Sequence, residues 1–110
     1  MKADYLDLTD GRRVRVAWNM NALAEFVQLT GKDLSDLSGK NVDIGILRTI
    51  AWLSAREGEE IEGRVLELNE KEFGRLLDMS GVVAFGHILA KQTAGISAEK
   101  KNRRFNWMTR

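Results

Sequence analysis

The longest helical pattern in the chain is the feature that most constrains its fold. Apolar or small residues recur at the i, i+3, i+4, i+7 spacing of one helix face, at Ile46, Leu47, Ile50, Leu53 and Ser54. Val42, Trp52 and Ala55 lie off that stripe, so we expect this helix to be covered on more than one side. Asn41 is its expected N-cap, and the charged segment REGEEIEG that follows is expected to form a loop.

The amino-terminal residues alternate in the way that predicts a β-hairpin. Val14, Val16 and Trp18 alternate with arginine or alanine, which places these three on one buried face and the arginines in water. The preceding pair Asp10-Gly11 suits a tight turn, because glycine adopts a positive φ without steric cost. A two-stranded hairpin is only marginally stable alone. We therefore expect it to pack against the helices.

A second helix is predicted between an asparagine cap, Asn19 or Asn21, and Gly31. Its helically spaced positions are Leu23, Phe26, Val27 and Thr30. The trio Thr30-Gly31-Lys32 lacks the longer glycine-rich stretch and the preceding strand of a phosphate-binding loop. We therefore interpret Gly31 as the end of a helix and the joint to one further turn at residues 33–37, where Leu34 and Leu37 are expected to reach the core.

Two more helices are predicted in the second half of the chain. Asn69 and Glu72 have the spacing of a capping box, which begins a short helix. Ser80-Gly81 is expected to form a bend before a last apolar helix over residues 82–96.

Length and composition limit the class of protein. A chain of 110 residues, 44% apolar and 30% charged, fits one soluble domain with a modest core. It has no cysteine, which excludes disulfides, and no signal peptide or membrane-spanning apolar run is visible. We expect a cytoplasmic α+β protein that is mainly α-helical, with an N-terminal β-hairpin packed on a bundle of about four helices. A single domain is expected over residues 1–97, followed by a basic, flexible tail over residues 98–110.

No pattern of residues predicts a catalytic, cofactor or metal site. His87 is the only histidine and has no acidic residue three or four positions away. The glutamates between Glu57 and Glu62 lack the alternating spacing of a calcium loop, so a solvated loop is the better interpretation. We therefore expect a protein that is not an enzyme.

The last fourteen residues, SAEKKNRRFNWMTR, concentrate positive charge. Five basic residues face one glutamate, giving a net charge of +4, so the rest of the chain carries −3 within the total of +1. The aromatic residues Phe105 and Trp107 lie among them. Such a segment can neutralise phosphates and stack on bases, anchor a protein partner, or simply solvate the terminus. The aromatic residues disfavour the last interpretation.

The order of these elements resembles the small tail assembly chaperones of long-tailed bacteriophages and phage-like gene transfer agents. The likeness covers about residues 5 to 79. The matching features are Glu25-Phe26, Thr30-Gly31-Lys32, the helix from Leu47 to Leu53 with Trp52, and the segment from Leu68 to Leu77.

The resemblance implies that the chain coats the tape-measure protein while tail-tube subunits assemble around it, and is absent from the mature virion. It implies the cytoplasm of a bacterial host, no membrane, and partners that are tape-measure and tail-tube proteins, with self-association also possible. The expected contact residues are Phe105, Trp107, Arg103, Arg104, Lys100 and Lys101 in the tail, with Trp52 and Phe26 on helix faces. Phe73 and Phe85 are further candidates. Core packing is the favoured interpretation for Phe26, Trp52, Phe73 and Phe85, and only Phe105 and Trp107 are expected to be exposed.

Two other functions stay open. A small DNA-binding regulator would use the hairpin arginines and the basic tail, although the near-neutral net charge and the lack of a basic recognition helix disfavour it. A structural adaptor retained in a phage particle is the third alternative, and an enzyme comes last.

Overall fold

The computed structural model describes residues 3–32 and 43–108, with side chains described as far as Thr93. Within these residues the chain forms two strands and four helices. They are β1 (Asp4–Asp7), β2 (Arg13–Val16), α1 (Met20–Thr30), α2 (Ile44–Ile61), α3 (Glu70–Arg75) and α4 (Met79–Met108). The expected α+β, mainly helical fold with an N-terminal hairpin is confirmed.

Strands β1 and β2 pair antiparallel, with Leu6 opposite Val14. Both side chains are buried, as is Val16, because alternate residues of a strand point to the same face. Gly11 in the connecting turn has a φ of 93°, the conformation for which glycine was expected there.

The hairpin packs on helix α2 at very short range. A Cβ atom on Gly58 would lie 2.0 Å from the carbonyl oxygen of Arg15, so only glycine fits at this crossing. Next to it, the backbone N–H of Ala17 donates to the carbonyl of Ser54 at 2.9 Å. Strand β2 therefore lies directly against the backbone of α2.

One core joins the hairpin to all four helices. Aromatic residues from three helices fill its centre, namely Phe26 of α1, Phe73 of α3 and Phe85 of α4. Helix α2 contributes Ile50, Ala51, Leu53 and Ala55, and the hairpin contributes Leu6, Leu8, Val14 and Val16. Burying each large apolar side chain stabilises the fold by roughly 1.5–3 kcal/mol.

Polar side chains fix the helix ends. Asn19 caps α1 by accepting from the N–H of Ala22, and α1 ends at Gly31, whose φ of 73° confirms the predicted left-handed position. Asn69 and Glu72 form the predicted capping box of α3. The cap of α2 is Asp43, and the prediction of Asn41 was wrong because Asp43 is the residue whose side chain reaches a free N–H of the first turn. Asn41, like Leu34 and Leu37 in the expected turn at residues 33–37, lies outside the described residues.

Two other boundaries differ from the sequence-based expectation. The glutamate-rich segment is helical as far as Ile61, because Gly58 packs on strand β2 and its neighbours find hydrogen-bond partners. Ser80 and Gly81 belong to the first turn of α4 and form no bend. Helix α4 continues to Met108, so the expected domain end at residue 97 does not coincide with the end of a helix.

Candidate functional site

The acidic residues of α2 have structural roles. Buried Glu57 accepts from the amide groups of Asn19 at 2.8 Å and Asn21 at 3.2 Å. Buried Glu59 accepts from the backbone N–H of Arg15 and from the Arg64 guanidinium. The Arg64 hydrogen bond lowers the pKa of the Glu59 carboxyl below its ordinary value. These glutamates therefore tie α2 to the hairpin and to α1, and the solvated-loop interpretation was wrong for both of them.

The Arg15 side chain departs from the expectation that the hairpin arginines lie in water. It is only partly exposed, and its guanidinium donates to Glu62 at 2.7 Å. The hairpin arginines are therefore not all solvated, because Arg15 runs along α2 next to the close contact at Gly58.

A second polar cluster ties α4 to the hairpin. The Gln92 side chain accepts from the N–H of Trp18 at 2.8 Å and donates to Asp4 at 2.9 Å and to the carbonyl of Val16 at 3.2 Å. Lys91 forms an ion pair with Asp4. Burial raises the pKa of the Asp4 carboxyl, but hydrogen bonds from Lys91 and Gln92 outweigh it and leave that pKa lowered.

Two of the expected contact residues, Phe26 and Trp52, contact other parts of the same fold. Phe26 is fully buried and meets Trp18 edge to face, with ring centroids 6.1 Å apart. It therefore presents no surface to a partner, and the structure supports the core-packing interpretation for this residue. The partly buried Trp52 donates its indole N–H to the carbonyl of Leu68 at 2.8 Å, and the Arg56 guanidinium lies 4.9 Å from its ring centroid. Trp52 thus fastens α2 to the segment before α3.

The structure places the tail candidates on a helix. Their backbone belongs to the last turns of α4, at Lys100, Lys101, Arg103, Arg104, Phe105 and Trp107. Their side chains lie outside the described part of the molecule.

The described residues contain no cluster of three or more histidine or acidic side chains placed to hold a metal ion. His87 is exposed on α4. None of the helices in the described ranges is long and apolar enough to cross a bilayer.

An open apolar groove of about 270 Å³ lies between the start of α2, the end of α3 and the start of α4. We call it the α2–α4 groove. Its lining is apolar except for one arginine, and consists of Ile44, Gly45, Leu47, Arg48, Ala51, Gly74, Leu77, Val82 and Phe85.

One lining residue of the groove and two apolar residues at the start of α4 are mostly in solvent. Ile44 is 72% exposed, and on α4 Met79 and Val83 are 76% and 52% exposed. The buried Ala51 and Phe85 lie at its base. Contiguous exposed apolar surface rimmed by polar residues is typical of a site that binds another molecule.

Sequence patterns identified little of this groove. Phe85 was considered as a contact residue, but Ile44, Leu47, Leu77 and Val82 were not. A usable signal was Ile44-Gly45 directly after the cap of α2, where an apolar first turn precedes the buried stripe. Whether such residues close on each other or leave a groove depends on how three helices meet, which local spacing does not reveal.

Comparison with known proteins gives no match: no protein-family model, no curated protein and no solved structure is significantly similar to this chain. The resemblance to tail assembly chaperones therefore rests on the order of the motifs in residues 5 to 79.

Proposed function

We propose that this chain is a non-enzymatic tail assembly chaperone that holds the tape-measure protein, the tail-tube protein or both while a phage or prophage tail assembles. It acts in the cytoplasm of the bacterial host and leaves before the mature virion forms. The observation that carries this proposal is the open, apolar α2–α4 groove, whose lining residue Ile44 is 72% exposed. The order of motifs in residues 5 to 79 supplies the class of partner.

A groove of this kind suits the job of an assembly chaperone. A long, aggregation-prone protein awaiting assembly needs its exposed apolar surface covered by another apolar surface. An amphipathic helix that lays its apolar face in a groove is a recurrent mode of recognition. Affinity from apolar contact depends on the area covered rather than on directional bonds, so a chaperone of this type can bind and later release a partner.

The basic end of α4 is the proposed second contact. Lys100, Lys101, Arg103, Arg104, Phe105 and Trp107 combine guanidinium and aromatic groups, which are enriched among residues that dominate protein interfaces. In this proposal they bind the same partner outside the α2–α4 groove.

A pull-down with two matched variants tests the proposal. Ile44→Asp places a charge on the rim of the groove, and Val65→Asp places the same charge at an equally exposed site, 79% against 72%, in the segment between α2 and α3. Each tagged variant is recovered, with and without nuclease, from cells that produce the phage or element encoding it, and the partners are identified by mass spectrometry.

We expect the unaltered chain and Val65→Asp to recover a tape-measure or tail-tube protein, and Ile44→Asp to lose most of it. Removal of residues 98–110 should weaken recovery as well. Equal recovery with both aspartate variants would exclude the groove as the binding site.

DNA binding is the second candidate, and the five basic residues in the last fourteen favour it. Contacts with phosphate weaken steeply as salt rises, because bound counterions are released on binding. Partners that disappear with nuclease, together with such a salt dependence, would replace the chaperone proposal by a DNA-binding function.

A further inference from the structure

Around the α2–α4 groove, the described acidic side chains accept hydrogen bonds within the fold, whereas basic groups stay accessible. This difference indicates what kind of helix fits the groove. We propose that the occupant is an amphipathic helix carrying a carboxylate beside its apolar stripe, and that Arg48 binds this carboxylate. The inference rests on the proposed function, since it assumes that the groove receives a partner helix.

Among the described residues that line the groove, Arg48 is the only charged one. Its stem lies over Gly74, where an added Cβ would come within 3.1 Å of the Arg48 Cδ atom. Its Nε atom donates to Glu70 at 2.8 Å, which fixes the plane of the guanidinium. The side chain is 47% exposed, and within the described ranges its two Nη atoms have no hydrogen-bond acceptor.

The acidic residues next to the groove are engaged elsewhere. Asp43, which precedes the lining residue Ile44, accepts from the N–H of Ile46 at 2.8 Å. Asp78, which follows the lining residue Leu77, accepts from the N–H of Gly81 at 2.8 Å. Each of these carboxylates caps a helix, where the partial positive charge of the helix end offsets its own charge.

The acidic side chains of α3 are engaged as well. Glu72 accepts from the N–H of Asn69 at 3.0 Å, and Glu70 holds both Arg48 and the Thr49 hydroxyl. The basic residues of α3, Lys71 and Arg75, are exposed and form no ion pair with any described residue. Among the described residues beside the groove, the accessible charge is therefore mainly positive.

A helix that covers the groove takes water away from Arg48. A guanidinium loses hydration when it is covered, and this costs free energy unless an acceptor replaces the lost water. The two Nη atoms match the two oxygens of a carboxylate. A purely apolar helix leaves Arg48 without that acceptor, and a basic helix adds repulsion, so the groove selects an acidic, amphipathic partner.

Binding of synthetic peptides to the full chain tests this selectivity. The probe is a fluorescent peptide of about 18 residues, or five helical turns, with leucine at i, i+3, i+4 and i+7 and glutamate on both sides of the stripe. Matched peptides carry glutamine or lysine at the glutamate positions. Affinities are measured by fluorescence anisotropy for the unaltered chain, for Arg48→Gln, and for Arg12→Gln as a control in the hairpin turn.

We expect the glutamate peptide to bind about fivefold more tightly than the glutamine peptide, a typical effect of one partly exposed ion pair. The lysine peptide should bind most weakly. The preference should persist in Arg12→Gln and disappear in Arg48→Gln. It should also shrink between about 0.1 M and about 1 M salt, where the screening length falls from about 10 Å to about 3 Å.

If the glutamate and glutamine peptides bind with equal affinity, and Ile44→Asp abolishes the binding of both, the carboxylate preference is overturned and the groove remains a helix-binding site. A preference that persists in Arg48→Gln would also overturn it. Failure to bind any of the peptides would overturn it too. The proposed function fails separately, if the unaltered chain recovers neither a tape-measure nor a tail-tube protein in the pull-down.

Discussion

The two sides of helix α2 differ in how completely they are covered. Toward the hairpin, the helix is in backbone contact with strand β2, and Glu57 and Glu59 each bind groups from neighbouring elements. Toward α3 and α4, its first two turns border an apolar groove of about 270 Å³. The first side holds the fold together, whereas the second leaves apolar surface for another molecule. Substitutions on the closed side should therefore change stability, and substitutions on the open side should change binding.

The largest effect should come from Phe26→Ala. Truncating a fully buried phenylalanine leaves a cavity and loses transfer free energy, so we expect the free energy of unfolding to fall by about 4 kcal/mol. Val27→Ala, one position along on the more exposed face of α1, should cost less than about 1 kcal/mol. Urea denaturation followed by circular dichroism measures both. Similar small losses would mean that Phe26 is accessible, as its interpretation as a contact residue requires.

The next largest effect should come from Gly58→Ala. The added Cβ would lie 2.0 Å from the Arg15 carbonyl oxygen, so the hairpin must move away from α2 at a cost of about 3 kcal/mol. Gly86→Ala is the matched control on α4, because nothing lies within 4 Å of its Cβ position.

Gly86→Ala should leave stability unchanged or raise it by up to about 1 kcal/mol, the difference in helix propensity between the two residues. The same denaturation series measures it. Equal effects at the two glycines would contradict the close approach of α2 and β2.

Glu59→Gln should have an intermediate effect. It removes the negative charge of the carboxylate to which the Arg64 guanidinium and the Arg15 N–H donate. We expect the free energy of unfolding to fall by about 1–2 kcal/mol at neutral pH. The folded-state pKa of Glu59 lies below its ordinary value of 4.5. Its contribution is therefore present above that value and is lost as pH falls through the lowered pKa.

Stability measured against pH, from neutral to acid, checks the sign of this effect. The unaltered chain should lose stability on acidification below about pH 4.5 more steeply than Glu59→Gln does. Parallel pH profiles would show that the carboxylate is not held in its charged form.

Ser54→Ala should have a smaller effect in the opposite direction. The Ser54 hydroxyl is buried and has no hydrogen-bond partner within the described ranges. Alanine removes an unsatisfied polar atom and favours the helix, so stability should rise by up to about 1 kcal/mol. Urea denaturation measures this change. A loss of more than about 1 kcal/mol in the free energy of unfolding would show that this hydroxyl makes a hydrogen bond.

Ile44→Asp should have the smallest effect on stability, within about 0.5 kcal/mol. The side chain is 72% exposed, and aspartate in the first turn of α2 interacts favourably with the helix dipole. The same urea titration checks this. A large loss would place Ile44 in the core and remove the distinction between the closed and open sides.

Local signals in the sequence predicted much of this architecture. Alternation revealed the hairpin, Asn69 and Glu72 revealed a capping box, and Gly31 revealed a helix end, because each depends on neighbours within a few residues. Glu57 and Glu59 were misassigned because their partners Asn19 and Arg15 lie about forty positions away. Phe26 was ambiguous for a different reason, since an aromatic residue on a helix face suits a core as well as an interface.

The α2–α4 groove could not be predicted from the spacing of residues, because it depends on the space that three packed helices leave between them. Ile44, Gly74 and Val82 are far apart in sequence, and each has an ordinary local context. Only the angles between three helices bring them around one space, and Gly74 is unusual only once the Arg48 stem lies over it.

Site-specific photo-crosslinking tests the central claim most directly, that the α2–α4 groove is a protein-binding surface. A photo-reactive amino acid replaces Ile44 in one sample and Val65 in another, and both are irradiated in cells that are assembling tails. We expect a covalent adduct with a tape-measure or tail-tube protein from position 44 and none from position 65. Adducts of equal yield from both positions, or none from position 44 while the protein is folded, would contradict the account.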